Sequence, residues 1–406
     1  MPNPMEAVFL IFCCVAALPR GIASTCADES VSVVVVGVLI GRETSGEYSA
    51  MTAAVELAFE EARTDATGLA PFKIDRSPAL MPGLEIILAV NWTATQQRVG
   101  MENALLMATG QVGGNQPPGR SVDVVIGAMW SSVSMVVNNA LSVFNIPQIS
   151  ASSTSGKLSD TNLFPTFMRS ASPDSMQTEA LARLVSSLGW PKVATLATDG
   201  VYAAGLAADF RKAASKHGIT TPVNELIVPL DEAVLADASS FARFEREHDD
   251  DIANALEAIY SSGVRVVLLS TGSDADARRI LRHARDRGML THEWAWIGTD
   301  GWLNLFTFSI GDADAEIQGF SGDAELRDLA NGIFGTVPYA GAGSEAHVRF
   351  EERFKASLAV QRRTRNIPTM VPVAEGGPGP QISSHYVVQA RRLSYNNNEH
   401  TFAPIT

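Results

Sequence analysis

Short apolar segments alternate with amphipathic segments along most of this chain. The first, at 31–40, is almost continuous valine, isoleucine and leucine, which is typical of a strand buried on both faces. Residues 48–63 repeat apolar side chains at helical spacing, and 84–90 form a second apolar strand. A helix at 93–107 and a strand at 122–126 follow. This βαβαβ alternation predicts an open parallel sheet with helices on both sides.

The same alternation continues through the second part of the chain. The acidic run at 247–251 is expected in a solvated loop or at a helix start. One parallel sheet of more than about ten strands is uncommon, so two α/β lobes are expected. The further predicted strands are at 147–150, 164–169, 192–197, 225–229, 264–269 and 294–297, and the further helices at 176–188, 203–217, 252–260, 274–287, 350–358 and 386–393.

Composition narrows the class of function. A chain of 406 residues with 46% hydrophobic and 18% charged residues has room for two packed domains. The net charge of −13 argues against nucleic acid or an anionic membrane surface as a partner. The histidines and cysteines show no metal-ligand spacing, and no cofactor or nucleotide motif is visible. Because no nucleophile–base pair has an interpretable spacing, an enzyme is not expected.

The amino terminus predicts export from the cell. The apolar run at 7–18 is too short to span a bilayer, and small residues follow it at Gly21 and Ala23. We therefore expect a signal peptide at 1–23. No later segment has the roughly 18 consecutive apolar residues that a membrane span needs.

Two residues of the exported chain are candidates for modifications that are typical of extracellular proteins. Cys26 is the one cysteine left after cleavage, so it is either free or bonded to another chain. Asn91 begins the sequon Asn-Trp-Thr, which predicts an exposed glycosylation site in a secreted eukaryotic protein.

The stretch 124–134 combines a strand, a turn and a helix start. Val124 to Ile126 is a short buried strand, Gly127 and Ala128 end it, and Ser131 stands where a helix should begin. Free backbone N–H groups at such a helix start favour a bound anion such as a carboxylate. The alternative is that Ser131 is only an N-cap.

This stretch and those after it resemble one family. The sequence resembles the Venus-flytrap ligand-binding domain of class C G-protein-coupled receptors, and metabotropic glutamate receptors most of all. Phe-Pro-Thr-Phe-Met-Arg also resembles the GABA type B receptors. The resemblance is carried by Ile126-Gly127, Ser131-Ser132-Val133, Asn145 to Ile149, Ser152 to Ser155, Leu158-Ser159-Asp160, Phe164 to Arg169, Pro173-Asp174, Gly189-Trp190, Asp199 to Tyr202 and Ile297 to Trp302.

The resemblance implies the type 1 periplasmic-binding-protein fold, in which two Rossmann-like lobes with parallel sheets are hinged by crossovers. An amino acid is held in the cleft between them. Lobe 1 would then span 27–169, lobe 2 would span 170–332, and 333–406 would return to lobe 1. In the family a final crossover and a membrane-spanning signalling module follow these segments, and we expect both to be absent from this chain, whose sequence runs to Thr406.

The resemblance also implies a ligand set. A lobe-1 serine and a serine–threonine pair would hold the ligand's carboxylate and ammonium, with one acid near the hinge. A lobe-2 tyrosine would close over the ligand, and a lobe-2 acid would receive the ammonium. Taken singly, these residues have ordinary alternatives as turn residues, helix caps or core. They are Ser131, Ser152, Thr154, Asp174, Tyr202 and Asp300.

Departures from the family affect the choice of ligand. Met51 stands where glutamate receptors have the arginine that holds the distal carboxylate, so a neutral or differently shaped amino acid is favoured. Gly127-Ala128-Met129 replaces Gly-Pro-Gly, and the bulky Trp130 lies beside Ser131.

Three hypotheses about function follow. The first is an extracellular, amino-acid-binding receptor domain that works by cleft closure and forms a homo- or heterodimer through lobe 1. The second is a free solute-binding protein for amino acid uptake, which shares the fold. The third is the ectodomain of a cyclase-type or ionotropic receptor.

Overall fold

The computed structural model describes residues 33–40, 85–92, 96–111, 119–230, 238–302 and 324–336, together with positions 234, 348 and 352. These residues form two five-stranded sheets, and every strand pair that the structure describes is parallel. The predicted class, an α/β protein with two parallel sheets, is confirmed.

The first sheet has the strand order β2-β1-β3-β4-β5. Residues 35–39 of β1, which lies between β2 and β3, are all buried, as their continuous apolar run predicts. The side chains of Val35 and Leu39 join Met107, Val137 and Leu141 in one apolar core. The elements of this lobe are β1 (Val33–Ile40), β2 (Glu85–Trp92), α1 (Gln97–Thr109), β3 (Val124–Ile126), α2 (Ser131–Ser142), β4 (Gln148–Ser150), a 3₁₀ helix (Gly156–Ser159) and β5 (Phe167–Arg169).

The second sheet has the strand order β10-β9-β8-β6-β7. Separate apolar clusters cover its two faces, one around Phe210 and Leu181 and the other around Leu256, Ile280 and Trp302. Its elements are α3 (Asp174–Ser187), β6 (Ala194–Thr198), α4 (Ala203–Lys216), β7 (Asn224–Ile227), α5 (Ala238–Ser261), β8 (Val266–Ser270), α6 (Asp274–Asp286), β9 (Ala295–Gly298), α7 (Ala324–Leu329) and β10 (Phe334–Gly335).

Helix α5 differs from its prediction. It begins at Ala238 rather than at residue 252, so the acidic run at 247–251 lies inside a helix and not in a loop. Two acids of the run contact histidines: His248 is bonded to Asp251 at 2.9 Å, and His283 of α6 contacts Asp249 at 3.3 Å. Helix pairing and tertiary contacts offset the repulsion between the neighbouring acids.

The boundary between the last two predicted segments also differs. Strand β10 pairs with β9, so the second sheet extends past residue 332, where lobe 2 was expected to end. The predicted signal peptide and the predicted helices at 48–63, 350–358 and 386–393 fall on residues outside the described ranges, apart from position 352.

The two sheets meet at the passage from β5 into α3. The backbone N–H of Asp174 donates to the Thr154 carbonyl at 2.9 Å, which ties the start of α3 to the β4 loop. The 3₁₀ helix faces α4 closely, because a Cβ on Gly156 would lie only 2.7 Å from the Asp209 carboxylate. The carboxyl ends of the strands of both sheets therefore face the same region.

Candidate functional site

Serine side chains build the lobe-1 side of this region. After β3 the carbonyl of Ala128 lies within 2.7–3.2 Å of the hydroxyls of Ser134, Ser150 and Ser153. The Ser150 hydroxyl also accepts the backbone N–H of Ser153 at 3.0 Å. These bonds fix the loop after β3 against the loop after β4, so the start of α2 is held in one place.

A glycine makes this approach possible. Gly127 has φ +116°, which side-chain-bearing residues rarely adopt, and a Cβ there would lie 2.2 Å from the Leu39 carbonyl oxygen. The turn between β3 and α2 can therefore pass directly over the end of β1.

Ser131 is the first residue of α2 and is buried, but it does not cap the helix. The N-cap is Trp130, whose side chain makes no capping bond, so the alternative that Ser131 is only an N-cap is wrong. The Ser131 hydroxyl instead accepts the backbone N–H of Ser155 at 3.2 Å. The N–H groups of Val133 and Ser134 donate to the Trp130 carbonyl, whereas those of Ser131 and Ser132 come before the first bond of the helix and lie at the carboxyl edge of the sheet.

Ser152 and Thr154 lie on the loop after β4, as expected. The half-buried Ser152 donates its hydroxyl to the Met129 carbonyl at 2.9 Å. The Thr154 hydroxyl is buried and has no hydrogen-bond partner among the described residues. Of these two residues, Thr154 is the one with hydrogen-bonding capacity left over.

Asp174 stands at the first position of α3 and is 2% exposed. Pro173 is the N-cap of this helix, so Asp174 does not have the capping role that was its alternative. Neither carboxylate oxygen has a hydrogen-bond partner among the described residues. A buried carboxylate without partners is costly, which makes this position unusual in a folded protein.

Burial raises the pKa of Asp174 to about 7. The neighbouring Thr154 hydroxyl and the Arg169 guanidinium oppose this rise, whereas the charges of Asp300 and Asp209 add to it. Thr154 lies near enough to lower the pKa, although its hydroxyl and the carboxylate do not reach hydrogen-bond geometry. The carboxyl group therefore titrates close to neutral pH, in a region where the charges of Asp300 and Asp209 act on it.

Tyr202 and Asp300 come together on the lobe-2 side. The tyrosine hydroxyl donates to the Asp300 carboxylate at 2.6 Å and accepts the backbone N–H of Gly301 at 2.9 Å. Burial, together with the nearby charges of Asp300 and Asp174, raises the pKa of Tyr202 well above its usual value. The tyrosine stays neutral and acts as a hydrogen-bond donor.

Arg169 is a further residue of this site that the sequence reasoning did not single out. It ends β5, and its guanidinium donates to the carbonyls of Ser153 and Ser155 at 3.2 and 2.8 Å and to the Ser159 hydroxyl. It braces the loop that holds Thr154. Its partners are mostly backbone carbonyls, which leave no trace in the sequence pattern.

The six predicted residues thus meet at one place. Ser131, Ser152, Thr154 and Asp174 border it from lobe 1 and the crossover, and Tyr202 and Asp300 border it from lobe 2. Other predicted positions lie elsewhere: Asn91 is on β2, and its side chain, like Met51 and Cys26, is outside the described residues.

The carboxyl ends of parallel strands, with polar groups converging from two lobes, are typical of proteins that bind a small ligand in a cleft. Comparison with known proteins agrees. The profile of the family described as "Receptor family ligand binding region" matches residues 62–365, and the chain belongs to this family.

Individual relatives are metabotropic glutamate receptors, as the resemblance predicted. Receptor 6 of Rattus norvegicus is 28% identical over 289 residues, which cover 64% of this chain and 31% of that protein. Receptor 4 of Mus musculus is 28% identical over 321 residues, or 75% of this chain and 31% of that protein. Receptor 8 of Homo sapiens is 35% identical over 180 residues, or 44% and 18%. The chain spans less than a third of the length of these relatives.

Among the helices that the structure describes, none combines the length and the apolar character that a membrane crossing requires.

Proposed function

We propose that this chain is the extracellular ligand-binding domain of a class C G-protein-coupled receptor and that it binds the zwitterionic head of an amino acid between its lobes. The observation that carries the proposal is Asp174, a buried carboxylate whose two oxygens have no hydrogen-bond partner within the described ranges. It lies where the two lobes meet, in the electrostatic field of Asp300. A ligand ammonium would supply the missing partner.

The opposite end of the cleft suits a carboxylate. The backbone N–H groups at the start of α2 and the Ser131 hydroxyl, which accepts from Ser155 and keeps its own proton to donate, form the anion-binding side. Charge-assisted hydrogen bonds of this kind contribute about 1.5–3 kcal/mol each. Four or five of them, after association costs, suffice for micromolar affinity, or about −8 kcal/mol.

The division of the site between lobes implies cleft closure. Ser131, Ser152 and Thr154 bind first from lobe 1, and Tyr202 and Asp300 of lobe 2 reach the ligand as the lobes approach. A ligand shifts the open–closed equilibrium only by its difference in affinity for the two states, so the lobe-2 contacts drive closure.

The polar side chains support binding rather than catalysis. In the described part of the site, the serine hydroxyls bond to backbone groups or to one another, and none is paired with a histidine or another general base.

We further propose that two copies associate through lobe 1. Met101 and Leu105 are one turn apart on α1, and both are exposed. Sedimentation of the purified chain tests this: Leu105→Lys should shift a dimer to the monomer, whereas Leu226→Lys on the exposed edge of lobe 2 should not. A monomeric wild-type chain would contradict the proposal.

The carboxylate and ammonium assignments can be tested by calorimetry. The full chain is first screened by thermal shift against the common amino acids and GABA, because a ligand at about 100 times its Kd adds about 2.7 kcal/mol of stability. The best ligand should then bind at least tenfold tighter than its amide or ester. Equal affinity for acid and amide would refute the carboxylate site.

The closure assignment can be tested by small-angle scattering. With saturating ligand the wild-type chain should become more compact, and Asp300→Asn should bind weakly without compacting fully. Asp286→Asn, an exposed acid on α6, serves as the matched control and should compact like wild type. An Asp300→Asn chain that compacts as fully as wild type would refute the lobe-2 role.

A further inference from the structure

Trp130 connects the two lobes directly. It is the N-cap residue of α2, at the carboxyl edge of the first sheet, and 36% of its surface is exposed. A Cβ built on Gly272, in the loop after β8 of the second sheet, would lie 3.6 Å from Trp130 Cζ3. Because a Cβ is one bond away from its Cα, the indole ring lies against the glycine itself and no further group fits between them. An aromatic side chain of lobe 1 therefore packs on the backbone of lobe 2.

The lobe-2 surface under this ring is held by contacts within its own lobe. The same Cβ position on Gly272 would lie 3.5 Å from Tyr202 Cδ1, so the tyrosine ring packs on the glycine as well. The Thr271 hydroxyl donates to the Ser273 carbonyl at 3.2 Å and accepts the Ser273 N–H at 3.1 Å, which fixes the loop that carries Gly272. Because this surface is already ordered, little conformational entropy is lost when the indole is placed on it.

A second contact between the lobes lies at the 3₁₀ helix. A Cβ on Gly156 would lie 2.7 Å from the Asp209 carboxylate of α4, and a Cβ on Gly205 of α4 would lie 4.0 Å from the Ser155 hydroxyl. The side chains that meet there are polar, and they can bond to water when the lobes separate. Of these two contacts, only that of Trp130 covers a large apolar side chain.

The Trp130 contact depends on the width of the cleft. Trp130 follows β3 and Gly272 follows β8, and the carboxyl ends of both sheets face the same region. A hinge movement that opens the cleft separates the two residues and exposes the covered face of the indole to water, which the hydrophobic effect opposes. The contact joins protein to protein, so it acts whether or not a ligand is bound.

We propose that Trp130 is a clamp, a side chain that shifts the open–closed equilibrium of the cleft toward the closed state without a ligand. The inference rests on the cleft closure of the proposed function, but not on an amino acid as the ligand. A domain that is already partly closed needs a smaller difference in affinity from its ligand to complete closure. The clamp therefore helps to set the ligand concentration at which the domain responds.

Small-angle scattering of the ligand-free full chain tests the clamp. Trp130→Ser should lower the ratio of closed to open molecules about tenfold and raise the radius of gyration, because the apolar contact is lost. Gly272→Ala should raise this ratio about threefold and lower the radius of gyration, because the added methyl group makes an ordinary contact with the indole. Gly272 does not have the positive φ that favours glycine, so alanine fits its backbone.

A double variant separates the clamp from a general loss of packing. Among the described residues outside the Gly272 loop, the methyl group of Gly272→Ala would touch lobe 1 only through Trp130, and its contact with Tyr202 lies within lobe 2. In the Trp130→Ser chain, Gly272→Ala should therefore no longer change the scattering. Phe144→Ser is the matched control, because Phe144 is an exposed lobe-1 aromatic residue just beyond the far end of α2, and it should leave the radius of gyration unchanged.

Equal radii of gyration for ligand-free wild type and Trp130→Ser would overturn the inference, and so would an equal effect of Gly272→Ala with and without Trp130. If Trp130→Ser does not fold, Gly272→Ala decides alone, and an unchanged radius of gyration in that variant overturns the clamp. Variants that behave as expected in a chain that binds no amino acid in the thermal-shift screen would support the clamp and refute the proposed ligand. A ligand that compacts wild type and both variants from one common ligand-free radius would support the proposed function and refute the clamp.

Discussion

Two buried aspartates have similar environments but different roles in the protein. Asp174 begins α3 and Asp276 lies in the first turn of α6, and they are 2% and 1% exposed. Burial raises the pKa of both carboxyl groups, to about 7 for Asp174 and about 6 for Asp276. By position, burial and pKa the two residues are nearly the same.

Their partners differ. Asp276 accepts the backbone N–H of Leu230 at 3.0 Å and lies 3.6 Å from the buried guanidinium of Arg279. Arg279 in turn stacks on the ring of Phe244, 4.9 Å from its centroid, and so ties α6 to α5. Asp174 has neither a hydrogen bond nor an ion pair to its carboxylate among the described residues.

The comparison shows that a buried charge and a raised pKa do not by themselves indicate a functional site. Asp276 is satisfied within the fold and belongs to its architecture. At the junction of the lobes, neither carboxylate oxygen of Asp174 has a hydrogen-bond partner in the part of the chain that the structure describes, and this makes it the better candidate for ligand binding.

The largest expected effect is the loss of stability on substitution of Asp276. Asp276→Ala should lower the free energy of unfolding by about 3–5 kcal/mol, because it leaves Arg279 as a buried cation without its ion-pair partner. Chemical denaturation measures this. Asp274→Ala, an exposed acid on the same helix turn, should cost less than about 1 kcal/mol. Equal losses for both variants would show that Asp276 contributes no more to the stability of the fold than Asp274.

The opposite pattern is expected for Asp174→Asn. It should weaken amino acid binding about 100-fold, or about 2.7 kcal/mol, because the ammonium loses its charged partner. The free energy of unfolding at pH 8 should rise by on the order of 2 kcal/mol, because the variant buries an uncharged amide in place of a charged carboxylate. Calorimetry and denaturation on the same sample check both. A less stable variant with unchanged affinity would assign Asp174 to the architecture instead.

The pH dependence of stability also distinguishes Asp174 from Asp276. The folded-state pKa of Asp174 is raised above its unfolded value of about 3.8, so the folded state binds the extra proton. Its contribution to stability is therefore greatest below pH 4 and is lost as the pH rises to about 7. In Asp174→Asn this dependence should end near pH 6, where Asp276 finishes titrating.

Ligand affinity should change in the other direction over the same range. Because an ammonium binds the ionised form of Asp174, affinity should fall up to tenfold per pH unit below about 7 and stay flat above it. Titration calorimetry at several pH values measures the slope. A flat profile in wild type would show that the ligand does not contact this carboxylate.

The smallest expected effect compares two hydroxyls. Ser131→Ala should lower the free energy of unfolding by about 1 kcal/mol, because the buried N–H of Ser155 loses its acceptor. Thr154→Val removes a hydroxyl without a partner and should change stability by less than about 0.5 kcal/mol. Denaturant midpoints resolve the difference, and a reversed order would contradict the assignment of partners.

The sequence predicts the sheets well because buried parallel strands are apolar blocks. The strand at 266–270 and the helix at 274–286 lie within two residues of their predicted limits. The first 14 residues of α5 were missed, since a run of acids is typical of loops and its contacts with His248 and with His283 of α6 depend on the folded structure. The start of α2 at Ser131 was predicted correctly but its N-cap was not, and α3 begins two residues before its predicted start, because the N-caps Trp130 and Pro173 make no side-chain capping bond.

The site itself was predicted through resemblance more than through residue pattern. The sequence alone cannot distinguish Asp174 from an ordinary N-cap, because the difference depends on which residue takes the cap position. It cannot show that Arg169 braces the Thr154 loop, or that Trp130 and Tyr202 approach Gly272 from different lobes. Each of these facts depends on distances between residues far apart in the chain.

The way Tyr202 is held has a consequence for rates. Its hydroxyl donates to Asp300 and accepts from Gly301, so its rotamer is set by bonds within lobe 2. Ordering a side chain during association costs about 0.5–1.5 kcal/mol, and here that cost is met during folding. We therefore expect Tyr202 to need no reordering when the cleft closes on a ligand. The rate of the response should then depend on the movement of the two lobes, which occurs on the microsecond-to-millisecond scale.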